Sequence, residues 1–176
     1  MTPGKMLPAN VAVLKARFPA VLKKIVEAGE RMPDSFHYSA ENGVERLMMQ
    51  RGEHSFCPYG DHNPGMLIKR WFDNLRLVGE SLYAITGFGD GSHLKHFLQE
   101  SGTGINFLAA EKDPALIRET LARFDLSDLL SHQRFILGTG ELDDEYFASI
   151  QGAALTGVND VNSLVFSPLH SVDEAY

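Results

Sequence analysis

The residues best suited to chemistry lie in the middle of the chain, around three glycines and one acid. A loop at residues 87–92 reads Gly-Phe-Gly-Asp-Gly-Ser and follows the apolar run 82–85. A helical pattern comes next, and a second apolar run ends at Glu111. The order strand, glycine turn, helix, strand, acid is typical of a mononucleotide-binding βαβ unit.

Each of these residue types has a physical role in such a unit. Glycines allow a ligand to approach the backbone closely, and the N-terminus of the following helix offers unpaired N–H groups. Glu111 lies twenty residues beyond Gly91, close to the spacing of a ribose-binding acid. Thr139 lies in the loop after a third apolar run. In methyltransferase-like sheets this loop borders the adenine. The predicted ligand-binding residues are Gly87, Gly89, Asp90, Gly91, Ser92, Glu111 and Thr139.

The identity of the ligand stays open at this stage. The loop departs from the dinucleotide pattern Gly-x-Gly-x-x-Gly, and Ile85 stands where a class I methyltransferase usually carries an acid. Asp90 would repel a phosphate but accepts hydrogen bonds from hydroxyl or amine groups. S-adenosylmethionine or a nucleotide is therefore the candidate cofactor. The alternative is that the glycines serve only a tight turn and close helix packing.

Histidines elsewhere give weaker signals. The series His54, Cys57, Asp61 and His62 has ligand-type side chains, but its spacing matches no established zinc pattern, and a polar loop explains it. No metal site is predicted. His93 follows the glycine loop. We expect it to be a surface residue, and the positive helix end should disfavour its protonation.

Composition excludes several classes of function. The chain has 176 residues and a formal net charge of −7. No basic run is present, so nucleic acid and anionic membrane are poor partners on electrostatic grounds. No apolar run approaches the roughly 20 residues of a membrane span. Cys57 is the only cysteine, which favours a reducing, cytoplasmic location.

Hydrophobic periodicity predicts two regions. Residues 1–65 form an N-terminal helix and a small β-hairpin unit, and residues 66–176 form a Rossmann-like α/β domain. In the first, the predicted elements are a helix over 10–30, interrupted at Pro19, a hairpin over 35–56 turning at Asn42-Gly43, and a loop over 57–65. In the second, besides the βαβ unit, they are a helix over 66–77, a helix starting at Pro114, a strand over 135–137, a weak helix over 142–154 and a strand over 161–166.

The predicted fold class is thus α/β, with a partial parallel sheet of Rossmann-like or methyltransferase-like type. Three or four parallel strands make a small sheet, since complete doubly wound sheets often have five or more. We therefore expect this chain to be the first part of a longer polypeptide.

The motif order also resembles the N-terminal region of the motility accessory factor (Maf) family of bacterial glycosyltransferases. The resemblance covers roughly residues 10–147. It is carried by residues 10–19 (Asn-Val-Ala-Val-Leu-Lys-Ala-Arg-Phe-Pro), 41–47 (Glu-Asn-Gly-Val-Glu-Arg-Leu), 59–64 (Tyr-Gly-Asp-His-Asn-Pro), 85–94 (Ile-Thr-Gly-Phe-Gly-Asp-Gly-Ser-His-Leu), 110–114 (Ala-Glu-Lys-Asp-Pro) and 125–130 (Asp-Leu-Ser-Asp-Leu-Leu). In that family the region precedes a central domain that transfers nonulosonic acids to flagellin.

The resemblance implies an accessory role without sugar-transfer chemistry. No part of the chain matches the family's central domain, so no catalytic residue is assigned. The leading hypothesis is an accessory Rossmann-like domain of a Maf-like glycosyltransferase with a candidate nucleotide site. Its partner would be a C-terminal glycosyltransferase domain or a separate protein. The alternatives are a small S-adenosylmethionine-dependent methyltransferase and an interaction module without a ligand.

Overall fold

The computed structural model describes residues 5–29, 34–41, 43–60, 63–140, 160–166 and 169. Its elements alternate between helices and two separate sheets. The helices are α1 Pro8–Arg17, α2 Pro19–Glu27, α3 Pro64–Asp73, α4 Ser92–Glu100, α5 Pro114–Arg123 and α6 Ser127–Ser131. The strands are β1 Phe36–Glu41, β2 Val44–Arg51, β3 His54–Phe56, β4 Ser81–Thr86, β5 Asn106–Glu111, β6 Phe135–Thr139 and β7 Asp160–Val165.

The predicted N-terminal helix is divided where the sequence places Pro19. Phe18 leaves the helical conformation, with φ −132° and ψ 53°, and separates α1 from α2. Proline has no N–H to donate within a continuous helix, but it is well accommodated in a first turn. Both helices bury apolar residues, including Leu14 and Ile25, in the main core.

The predicted hairpin is confirmed, and a third strand pairs with it. β1 and β2 pair antiparallel with Glu41 opposite Val44, and β2 pairs antiparallel with β3. Gly43 takes φ 78° at the turn, a conformation that glycine adopts without steric cost. Leu47 and Met49 are fully buried on one face of β2, as expected for a sheet with one covered side.

The second sheet is parallel and confirms the α/β fold class. Its strands lie in the order β6-β5-β4-β7, and every pairing between them is parallel. The chain therefore moves from β4 outward to β6, and then returns to place β7 on the other side of β4. The strand order reverses between β4 and β7, which is where open α/β sheets bind ligands. The sequence predicted this last strand but not its position.

Helix boundaries follow capping more closely than periodicity. The Asn63 side chain accepts a hydrogen bond from the Met66 N–H, so α3 begins at Pro64. The helix ends at Asp73, before the predicted limit at residue 77. Helix α5 starts at Pro114, as predicted, and the Asp113 side chain caps it by accepting from the Ala115 N–H. Periodicity missed α6 because its five residues are too few to show a repeat. The helix predicted over 142–154 lies outside the described residues.

The two hydrophobic cores combine residues from both halves of the chain. The main core joins α1 and α2 to the parallel sheet. The second joins Leu47 and Met49 of the hairpin to Leu116 of α5 and to Phe166. A domain boundary at residue 65 stays a prediction. Within the described residues, no helix is both long and apolar enough to cross a membrane.

Asn10 connects α1 to the end of α5. It is fully buried, and its Nδ2 donates to the carbonyl oxygens of Leu121 at 2.9 Å and Phe124 at 2.8 Å. Its Oδ1 accepts from the Leu126 N–H at 2.9 Å. One side chain thus pairs three backbone groups where α5 ends.

We predict that Asn10→Ala lowers the free energy of unfolding by about 2–4 kcal/mol, because it leaves buried backbone groups unpaired. Urea unfolding measures the loss. The control is Asn74→Ala, which removes one exposed bond to the Arg70 carbonyl and should cost less than about 1 kcal/mol. Equal losses in the two variants would contradict the role of Asn10.

Candidate functional site

The glycine loop lies at the carboxyl end of β4, as predicted. Gly87, Gly89 and Gly91 have φ values of 92°, 54° and 81°, all in the region that favours glycine. All three are buried. Gly91 is the residue from which α4 starts. The loop therefore has a backbone conformation that favours glycine at three positions, and its surroundings decide what it contacts.

The Tyr59 hydroxyl occupies the centre of this loop. The Asp90 N–H donates to the Tyr59 oxygen at 3.2 Å, and that oxygen lies 3.0 Å from Nδ1 of His93. Nε2 of His93 lies 3.2 Å from the Gly87 carbonyl oxygen. Because a carbonyl only accepts, Nε2 carries the proton and Nδ1 accepts from the Tyr59 hydroxyl. The hydrogen bonds thus start and end within the loop.

A second hydroxyl chain reaches the loop from the hairpin. The Thr120 hydroxyl of α5 donates to the Gly89 carbonyl oxygen at 2.7 Å. It therefore accepts from the Tyr38 hydroxyl of β1, at 2.6 Å. Burial raises the pKa of Tyr38 well above its ordinary value, so the hydroxyl keeps its proton for donation. Both polar groups of the peptide that joins Gly89 to Asp90 are therefore hydrogen-bonded. The carbonyl accepts from Thr120, and the N–H donates to Tyr59.

Apolar side chains fill the space around the glycines. A Cβ at Gly89 would overlap the Tyr59 hydroxyl oxygen and lie 3.1 Å from Cδ1 of Leu169. A Cβ at Gly87 would lie 3.0 Å from the same Leu169 atom, and one at Gly91 would lie 2.7 Å from Leu126. The close approach that glycine permits is thus made by the chain's own side chains.

Glu111 ends β5 and points beneath the loop. Its side chain is 2 % exposed. Oε2 accepts from the Phe88 N–H at 2.9 Å, and Oε1 accepts from the Asp113 N–H at 3.0 Å. The carboxylate therefore ties the glycine loop to the start of α5. A role in binding ribose stays a prediction, and in this arrangement both carboxylate oxygens already accept backbone hydrogen bonds.

Asp90 and Ser92 form a local turn at the start of α4. Oδ1 of Asp90 accepts from the Ser92 N–H at 2.8 Å. Burial raises the pKa of the Asp90 carboxyl above its ordinary value. Burial, and then the charge of Asp90, raises the pKa of Tyr59. Tyr59 therefore stays protonated and continues to donate to His93.

The expectation that His93 lies on the surface is wrong. The ring is fully buried, and it stacks on Phe166 at 4.7 Å between centroids with an interplanar angle of 16°. Burial lowers its pKa to about 3. The expected neutral state thus agrees with the structure, but burial is the main cause. A polar residue in the first turn of a helix gave no sign that Phe166 and Tyr59 would cover it.

Thr139 lies at the carboxyl end of β6, beside β5. It is 1 % exposed, and its hydroxyl has no hydrogen-bond partner among the described residues. Its carbonyl oxygen accepts from Nζ of Lys24 at 3.3 Å. The predicted ligand residues thus share one edge of the sheet, but the glycine loop and Glu111 there hold one another.

The His–Cys–Asp–His series is only partly described. His54 is exposed and Cys57 is buried, whereas Asp61 and His62 lie outside the described residues. Over the described ranges, no three or more His, Cys, Asp or Glu side chains are grouped to hold a metal ion. The absence of a metal stays a prediction.

Sequence reasoning missed the side chains that complete the site. These residues lie far from the glycine loop along the chain, and no local sequence pattern places them beside it. They are Tyr38, Tyr59, Thr120, Leu126, Phe166 and Leu169. One signal was available: Tyr59 is a large aromatic residue within the predicted polar loop at residues 57–65.

A similar chain occurs among the solved structures. No known protein family matches the sequence. No curated protein matches it either. A solved structure of a Maf glycosyltransferase from Magnetospirillum magneticum AMB-1 is similar, with 15 % sequence identity and a TM-score of 0.45. The similarity covers 89 % of this chain and 32 % of that chain, so this chain spans about a third of its length.

We predict that His93 makes the fold sensitive to acid. The unfolded imidazole takes up a proton near pH 6.5, whereas the buried one stays neutral until about pH 3. Between these values the unfolded state binds the extra proton, so stability falls as the pH falls, by about 1.4 kcal/mol per pH unit from this group. Urea unfolding of the native chain and of His93→Gln between pH 6 and pH 4 should give a shallower slope for the variant. Parallel slopes would contradict this.

We predict that Gly89→Ala is far more damaging than a matched glycine substitution. Gly52 has a similar φ of 59° with open space around it, so Gly52→Ala should cost about 1 kcal/mol from backbone strain alone. Gly89→Ala adds a collision with the Tyr59 hydroxyl and should cost more than about 2 kcal/mol. The measurement is the urea midpoint, and the collision would be disproved by equal midpoints for both variants.

Proposed function

We propose that this chain is an accessory Rossmann-like module of a Maf-like glycosyltransferase, whose ligand crevice is filled by its own side chains. Such a module combines two of the functions that the sequence suggested, the accessory domain and the interaction module without a ligand. The module would act by presenting a rigid surface to a transferase domain or partner protein. Transfer chemistry would reside in that other part.

The observation that carries the proposal is the position of Tyr59. Its hydroxyl accepts the N–H of the loop residue Asp90, a group that in such loops is available to a ligand. Its ring is 1 % exposed and stacks on Phe166. Phe166 directly follows β7, so the ring lies where the strand order reverses, the usual ligand position in open α/β sheets.

The carboxylates support the same conclusion. Glu111 accepts two backbone N–H groups, and Asp90 accepts the Ser92 N–H. Hydrogen bonds to a charged group contribute about 1.5–3 kcal/mol each, so breaking them to bind a ribose would be costly. These groups therefore favour a role in stabilising the loop.

The link to Maf-like enzymes rests on motif order in the sequence. The motifs at residues 59–64 and 85–94, which carry part of that resemblance, contain Tyr59, the glycine loop and His93. These are the residues that contact one another in the fold. The shared motifs would accordingly preserve the closed loop, and no residue here is assigned to sugar transfer.

Binding of S-adenosylmethionine or a nucleotide is the second candidate. The buried Thr139 hydroxyl favours this function. It has no hydrogen-bond partner among the described residues, and it lies at the edge of the sheet where the parallel strands have their carboxyl ends. A buried hydroxyl without a partner is unfavourable, and a ligand could satisfy it. Entry beside Gly89 would require Tyr59 and Leu169 to move away.

We predict that titration calorimetry gives no binding heat for S-adenosylmethionine, NAD or CMP at millimolar concentration.

We further predict that Glu111→Gln lowers the free energy of unfolding by about 1–3 kcal/mol, because the glutamine amide has one acceptor oxygen where the carboxylate has two. The control is the exposed Glu100→Gln, expected within about 0.5 kcal/mol of the native chain. If one of these ligands bound with a submillimolar Kd and Glu111→Gln weakened that binding, the proposal would be overturned in favour of a cofactor-binding function.

A further inference from the structure

Tyr59 and the groups that hold it come from different parts of the chain. Tyr59 lies between β3 and α3, whereas its hydrogen-bond partners are Asp90 and His93 and its stacking partner is Phe166. Its ring is therefore held by non-local groups, in the manner of a bound ligand. The groups that hold it define the chemistry of what they recognise.

The aromatic geometry describes a flat slot. Tyr59 stacks on Phe166 at 5.3 Å and 22°, and His93 stacks on Phe166 at 4.7 Å and 16°. The centroids of Tyr59 and His93 are only 5.9 Å apart, much less than if they lay on opposite faces of Phe166. The two rings therefore lie side by side on one face and are hydrogen-bonded at their edges.

The polar groups of the slot select a hydroxyl. One side offers a donor, the Asp90 N–H. The other offers an acceptor, Nδ1 of His93, whose tautomer is set by the bond from Nε2 to the Gly87 carbonyl. A hydroxyl both accepts and donates, so a single oxygen satisfies both groups. Gly89 leaves room for that oxygen because it has no Cβ.

We propose that the glycine loop, His93 and Phe166 form a binding slot for a para-substituted phenol, with Tyr59 as its resident ligand. This rests on the proposed function, in which the crevice is filled from within. Tethering gives the Tyr59 ring a high effective concentration, so free phenols do not compete with it in the native chain. Removing the ring uncovers a site with its shape and hydrogen-bonding pattern.

The test uses the full chain carrying Tyr59→Ala, with p-cresol as the probe. At ten times its Kd, p-cresol should raise Tm by about 3–6 °C. Toluene, which has the same ring and methyl group but no hydroxyl, should give a smaller rise. The native chain should respond to neither. Equal effects of p-cresol and toluene on the variant, or no effect of p-cresol, would overturn the slot.

A second variant tests the slot even where Tyr59→Ala does not fold. Tyr59→Phe keeps the ring and removes the hydroxyl, so the Asp90 amide should exchange with solvent about tenfold faster. The Gly91 amide is the internal control, because it donates to the Phe88 carbonyl at 3.0 Å and should not change. Equal acceleration of both amides would refute hydroxyl recognition. Neither result depends on whether S-adenosylmethionine binds the native chain, which tests the proposed function separately.

Discussion

The hydrogen bonds of the Tyr59 hydroxyl are the interaction on which the arrangement of this molecule depends. One oxygen accepts from the glycine loop and donates to His93. It matches the tautomer of the imidazole that the Gly87 carbonyl sets, and it connects the loop to the segment that follows the hairpin. Since Tyr59 and His93 are buried, each of their polar groups would carry a desolvation penalty if its partner left.

The hairpin unit and the parallel sheet are consequently joined by polar as well as apolar contacts. Tyr38 reaches Gly89 through Thr120. The guanidinium of Arg123 lies 4.6 Å from the centre of the Tyr38 ring and forms an ion pair with Glu45 of β2. Arg123 also pairs with Glu119 at 2.5 Å. Hydrogen bonds and ion pairs of this kind require one relative position of the hairpin unit and the sheet, whereas apolar packing alone tolerates several.

The glycines illustrate how one sequence signal serves two purposes. A ligand and a tyrosine hydroxyl both need a backbone without a Cβ at residue 89 and a positive φ there. A turn built to admit an oxygen atom therefore has the same sequence whether the oxygen belongs to a nucleotide or to the protein. Glu111 is similar, because a carboxylate accepts two donors from a ribose or from two backbone amides.

The sequence by itself determined the local elements and the class of fold. Pro19, Asn42-Gly43, Asp113-Pro114 and the alternation of apolar runs act within a few residues, and the helices and strands that they predict are present. Only the tertiary structure decided that β7 lies beside β4, that His93 is buried, and that Tyr59 and Leu169 cover the glycine loop. These features join residues separated by tens of positions, and they depend on how whole elements pack. Local propensity and periodicity carry no information about such contacts.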